Sequence, residues 1–193
     1  MIAEAVRIVS KEMLVFFLDE CHLVWGDALG YAWGPMGERV EVPIENVRER
    51  QTYYGALNLL TGRPSLFPAE KGNGACTVAF LKWLRWRHQC RPMICLWDRA
   101  PYHWCQEVKR YLRTLNGDRP ASERAIHLSP FARYAPEQNP IEDVWLAGKR
   151  QVRNQWYRLE TFADVTQCFS TTVRFHSSAN HEKLNWYGRL QLI

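Results

Sequence analysis

Two uninterrupted apolar runs, each closed by an aspartate, constrain this chain more than any other feature. Met13-Leu14-Val15-Phe16-Phe17-Leu18 ends at Asp19, and Met93-Ile94-Cys95-Leu96-Trp97 ends at Asp98. Runs of this kind, without polar alternation, offer no face to water, so each reads as a strand buried on both sides. The sheet that holds them is expected to be flanked by helices. Each aspartate is expected to emerge where its strand ends. A carboxylate in that position is costly unless something cationic meets it.

A third acid, Glu142, opens a helix: Asn139 can cap it, Pro140 can take its first position, and it runs to about 151. Three converging acids invite divalent metal, because carboxylates are hard, anionic ligands able to bridge two ions. Histidine or cysteine would select other metals. The six cysteines (Cys21, Cys76, Cys90, Cys95, Cys105, Cys168) include no C-x-x-C pair and read as reduced thiols in apolar company. Cys90 and Cys95 with His88 or His103 match no usual zinc spacing.

The remaining pattern fills in a mixed architecture. Gly26 to Gly37 suggests a hairpin with Gly30-Tyr31-Ala32-Trp33 as its second strand and Gly34-Pro35-Met36-Gly37 as a turn. Strands are expected at Thr52–Leu59, Ser65–Phe67 and, weakly, Ala125–Leu128. Helical spacing covers 75–89, then about 101–115 with Pro101 in the first turn and Asn116-Gly117 at the end, then 160–174. The sum is an α/β mixed sheet, antiparallel early and parallel late, flanked by helices, within which the strands ending at Asp19 and Asp98 lie side by side.

The chain of 193 residues fits one domain. Residues 1–12 are expected to be a linker remnant, 13–175 the domain, and 176–193 a C-terminal tail. No apolar stretch approaches the roughly 20 residues that span a bilayer, and the first residues lack the charged and apolar regions of a signal peptide, so a cytoplasmic protein with no membrane partner is expected. The formal charge is +5, and between 82 and 113 eight basic residues face only Asp98 and Glu107. Basic charge clustered beside an acidic metal site suits a polyanionic substrate, although a solvated basic face on two helices reads as well.

Four motifs carry a resemblance. Phe17-Leu18-Asp19-Glu20, Gly30-x-x-Trp33-x-Pro35-x-Gly37, Leu96-Trp97-Asp98-x-Ala100-x-x-His103 and Tyr134-Ala135-Pro136-Glu137-Gln138-Asn139-Pro140-Ile141-Glu142-x-Val144-Trp145 are similar to the catalytic domain of DDE transposases of the mariner superfamily, in its bacterial insertion-sequence branch, over roughly 14–155. The resemblance implies an RNase H-like fold in which Asp19, Asp98 and Glu142 bind two Mg2+ or Mn2+ ions. Asp19 bridges both in that scheme, and Asp98 and Glu142 each complete one ion's shell. It implies a DNA partner, transposon ends and target, with a homodimer acting on it by strand cleavage and strand transfer. His103 stands where such transposases often carry histidine, and is expected to approach the scissile phosphate or the DNA.

Helical geometry adds that Lys149 and Arg153, seven and eleven positions beyond Glu142, project from nearly its face and are expected to contact DNA phosphates. Glu20 should point to the opposite side of its strand from Asp19 and is not counted as a ligand. Trp33 and Trp145 read as core. Departures from the family pattern are Arg99, where asparagine is common, and a long interval of 43 residues between Asp98 and Glu142. Arg99 is counted among the DNA contacts. The family's N-terminal helix-turn-helix is not found, so a catalytic fragment, a second reading frame or a degenerate copy is expected. Two other readings stand beside this one: an RNase H-type nuclease, which needs a fourth late acid such as Glu160 or Asp164, and an inactive DNA-binding remnant.

Overall fold

The computed structural model describes residues 7–8, 10–28, 36–37, 49–131, 139–177 and 184. Five strands form one sheet: β1 (Leu14–Val24), β2 (Arg50–Asn58), β3 (Pro64–Ala69), β4 (Met93–Trp97) and β5 (Ile126–Pro130). Their order is β3-β2-β1-β4-β5, with β1/β2 and β2/β3 antiparallel and β1/β4 and β4/β5 parallel. The antiparallel-then-parallel sheet expected from the sequence is therefore present. The hairpin strand expected at Gly30–Trp33 lies outside the described residues.

Among the described residues, the helices that flank the sheet are α1 (Gly74–Arg87), α2 (Gln106–Asn116), α3 (Ile141–Asn154) and α4 (Phe162–Phe175). Local chemistry sets their ends. The Asn73 side chain accepts the Cys76 N–H at 2.8 Å to start α1, and Thr161 and Asp164 form a reciprocal capping box at α4. Gly117, at φ 57°, stops α2 where a side chain would be strained. Pro101 begins a short 3-10 turn, Pro101–His103, rather than α2 itself. No described helix is long and apolar enough to cross a membrane.

The central strand divides its side chains between two cores. Val15, Phe17, Cys21 and Leu23 join Ile141, Val144, Trp145, Phe169 and Val173 of α3 and α4, while Leu14, Phe16 and Leu18 join Phe80, Leu81, Leu84 and Val108 of α1 and α2. Phe16, Phe17 and Leu18 have no exposed surface, and full burial of each stabilises the fold by about 1.5–3 kcal/mol. Two-sided burial is the reason the run reads as unbroken.

One boundary differs from expectation. β1 does not end at Asp19 but runs on to Val24, paired throughout with β2, whereas its pairing with β4 stops at Phe17–Leu96. Asp19 therefore sits where one side of the strand loses its neighbour. The sheet narrows there, and a carboxylate can face something other than backbone.

Candidate active site

Asp19 and Asp98 each lie two residues beyond the last paired position of β1 and β4, Phe17 and Leu96. Neighbouring strands run about 4.8 Å apart, so the register itself brings the two acids to the same end of the sheet. α3 delivers the third. Asn139, 4% exposed, donates its side-chain N–H to the Leu18 carbonyl at 3.1 Å and accepts the Ile141 N–H through Oδ1. The residue two positions before α3 is thus fastened to the residue before Asp19. Glu142, exposed in the first turn of that helix, lies near enough for its charge to act on Asp19.

Asp19 is held from the α3 side. Trp145 Nε1 donates to its Oδ2 at 2.9 Å. The indole gets there because Gly55, which pairs with Asp19 across β1 and β2, has no side chain; a methyl on Gly55 would overlap the Trp145 ring and Ile141. Burial above all, then the charge of Glu20 and more weakly that of Glu142, pushes the Asp19 carboxyl up to about 7, against the Trp145 hydrogen bond.

Asp98 is held from the other side. His103 Nε2 lies 3.1 Å from Asp98 Oδ1 and 3.2 Å from Glu20 Oε2. The Ala100 N–H also donates to Asp98 Oδ1, at 3.0 Å, and Trp104 Nε1 donates to the Asp98 carbonyl at 3.0 Å. His103 is fully buried, its ring stacked on Trp97 at 3.9 Å between centroids and edge-on to Tyr102 at 4.3 Å. Burial opposes charge on this ring, but Asp98 and Glu20 outweigh it and hold its pKa above the usual value. The His103 contact holds the Asp98 carboxyl below its usual range.

The other residues singled out from the sequence are placed as follows. Lys149 Nζ is engaged by Asp27 Oδ1 at 3.0 Å and by the His22 carbonyl at 3.3 Å. Arg153, one turn further along α3, is half-buried and has no ion-pair partner among the described residues. Arg99 is exposed, and its Nε donates to the Phe131 carbonyl at 3.2 Å, tying the ends of β4 and β5. Asp164 is used in the α4 cap, which leaves Glu160 as the exposed late acid. Glu20, Gly55 and the polar end of Trp145 do not stand out in the sequence. The one signal available for Trp145 is its position three residues after Glu142, on the same face of a helix.

Among the described residues, no three His, Cys, Asp or Glu side chains are already gathered closely enough to hold an ion. The donor set nevertheless suits a hard divalent cation. All three groups are carboxylates, and Asp98 is 53% exposed, with both of its carboxylate contacts among the described residues falling on Oδ1. Asp19 carries the uncompensated negative surroundings that a cation would relieve.

Comparison with known proteins gives a consistent picture. Residues 14–163 match the family model described as DDE superfamily endonuclease. No curated protein matches the sequence. Among solved structures, the Mos1 mariner paired end complex with Mn aligns at TM-score 0.58 and 18% identity, covering 98% of this chain and 57% of that one. The catalytic domain of Mos1 mariner transposase aligns at 0.55 and 16%, covering 98% and 85%. The simian T-cell lymphotropic virus intasome, in complex with a PP2A regulatory subunit, aligns at 0.55 and 12%, covering 81% and 47%. The chain spans about half the length of the chains in the first of these complexes. At such identities the likeness shows the fold, which is the RNase H-like fold of transposase and integrase catalytic domains.

Proposed function

The chain belongs to the DDE superfamily endonucleases, and from that membership we propose that it is the catalytic domain of a mariner-type transposase, cleaving DNA at transposon ends and transferring the strands to target DNA. The observation that carries the proposal is the arrival of Asp19, Asp98 and Glu142, from β1, the end of β4 and the start of α3, at one end of the sheet.

Asp19, Asp98 and Glu142 would hold the divalent ions, a pair of Mg2+ or Mn2+. Such ions stabilise charge on the phosphorus oxygens and activate an oxygen nucleophile. What the protein supplies is placement. Trp145 orients Asp19 through one oxygen, and Asn139 fixes the start of α3 relative to Leu18 and so sets where Glu142 stands. No serine or cysteine nucleophile is required, because water or a DNA 3′ hydroxyl attacks. Arg153 would contact phosphate from α3, and Lys149 would do so by exchanging its Asp27 partner. Arg99 lies exposed beside Asp98 and is a further candidate contact. Two copies acting on paired ends complete the proposal.

The deciding experiment is nicking of a supercoiled or end-containing DNA substrate by the full chain with Mg2+ or Mn2+. Cation-dependent nicking that is lost in Asp98→Asn is the expected result. Cation-dependent cleavage confined to RNA:DNA hybrids would favour the RNase H-type reading, and DNA binding without any cleavage would favour the remnant.

A further inference from the structure

Glu20 is an acid that the trio does not use, yet its side chain is only 5% exposed and, among the described residues, its Oε1 has no hydrogen-bond partner of good geometry. A buried acid in that condition is expensive to maintain unless it performs a task. Strand alternation sends it to the α1 and α2 face, away from Asp19. There it meets His103, whose single Nε2–H is shared between Glu20 Oε2 at 3.2 Å and Asp98 Oδ1 at 3.1 Å and makes a straight hydrogen bond with neither. The ring cannot drift to favour one, because Trp97 stacks on it and Tyr102 meets it edge-on. Its backbone is fixed too: the His103 N–H donates to the Ala100 carbonyl at 3.0 Å, closing the turn that leaves Asp98.

The consequence falls on Asp98. Among the described residues, both of its carboxylate contacts, from His103 and from the Ala100 N–H, are made by Oδ1, and none is made by Oδ2.

We propose that Glu20 and His103 form a buried brace that fixes the Asp98 carboxylate by its Oδ1 and so presents Oδ2 to the reacting centre. Both are positioning residues rather than ligands, and a ring with no exposed surface has this task in place of touching DNA. Losing a residue that orients a metal ligand typically costs 10–100-fold in metal affinity, so an effect of about that size is expected here. The inference rests on reading Asp98 as a metal ligand.

The test uses the full chain with Mn2+ alone as probe. Mn2+ affinity is measured by calorimetry and by the electron paramagnetic resonance signal of free Mn2+, for wild type, Asp98→Asn, Glu20→Gln and His103→Gln, and folding is checked by circular dichroism. The metal-free protein is examined in parallel by NMR for a slowly exchanging His103 Nε2–H resonance. The brace predicts a Kd for Mn2+ raised about 10–100-fold in both Glu20→Gln and His103→Gln, and a His103 resonance that shifts in Asp98→Asn and in Glu20→Gln. If His103→Gln fails to fold, Glu20→Gln alone decides. Weakened Mn2+ binding in Asp98→Asn with wild-type binding in Glu20→Gln would overturn the brace and leave the metal reading intact. Unchanged Mn2+ binding in Asp98→Asn would overturn the metal reading and the brace with it. A His103 resonance indifferent to both substitutions overturns the brace whatever the metal does.

Discussion

At the scale of residues, the most consequential number is the Asp19 carboxyl at about 7. The unfolded chain releases that proton near 3.8, so between roughly 4 and 7 the folded protein binds a proton that the unfolded protein lacks. Stability of the metal-free protein should therefore fall as pH rises through this window, level off above it, and be unaffected by this group below it. Each pH unit across the window removes at most about 1.4 kcal/mol, which bounds the loss at about 4 kcal/mol. Thermal unfolding at pH 5 and pH 8 tests this directly: Asp19→Asn should flatten the slope, and Mg2+ should raise Tm more at pH 8 than at pH 5. An Asp19→Asn protein with the slope of wild type would remove Asp19 as its source. The identity of Asp19 and Asp98 as special residues was legible in the chain, because an acid that closes an apolar run is out of place unless used. Glu20 was legible only as pointing away. Its partner lies 83 positions later, and strand alternation says nothing about what waits on the other face.

At the scale of elements, α3 brings the third acid to the site, and one side chain ties its start to β1. Asn139 links the Leu18 carbonyl to the Ile141 N–H. Asn139→Ala leaves a buried carbonyl and a helix-start N–H unpaired, at a cost of about 1–3 kcal/mol. Urea unfolding should show that loss, and Mn2+ affinity should fall with it because Glu142 is no longer tied to β1. Stability equal to wild type would show that Pro140 alone fixes the helix start. Asparagine before Pro140 reads as the cap, with Pro140 in the first helical position, but the structure puts Pro140 at the cap position and begins α3 at Ile141, one residue later. Asn139 still accepts the Ile141 N–H, a contact between near neighbours, whereas its bond to Leu18 spans 121 positions and is a product of the fold. The end of β1 departs from the sequence expectation for a related reason. Asp19 closes the apolar run, but strand pairing follows the hydrogen-bonding neighbour, and β2 continues alongside to Val24. Likewise, Pro101 fits the first turn of a helix by composition, yet the bonds that close the turn around Asp98 hold a 3-10 turn there and delay α2 to Gln106.

At the scale of the whole molecule, the two layers separate two kinds of positive charge. Lys82, Arg85 and Arg87 on α1 and Lys109, Arg110 and Arg113 on α2 belong to the layer that covers the sheet face opposite Asp19, and Lys82 lies 5.6 Å from the Tyr111 ring, between the two helices. Arg153 belongs to α3, on the Asp19 face. Arg153→Glu should therefore weaken binding to end-containing DNA and lower the salt dependence of the affinity by about one to two phosphate contacts, whereas Lys82→Glu should change both little. Fluorescence anisotropy across a salt series measures this; equal effects at the two positions would place the DNA on neither face in particular. The sequence by itself determined a two-sided buried sheet, the order of its elements and the acids at its strand and helix ends, because apolar periodicity, caps and turns are properties of neighbouring residues. Only the tertiary structure decided that Trp145 reaches Asp19 over a glycine, that Glu20 and His103 meet Asp98, and that the basic helices lie behind the sheet. Those are contacts between residues distant in the chain, and packing in three dimensions alone chooses them.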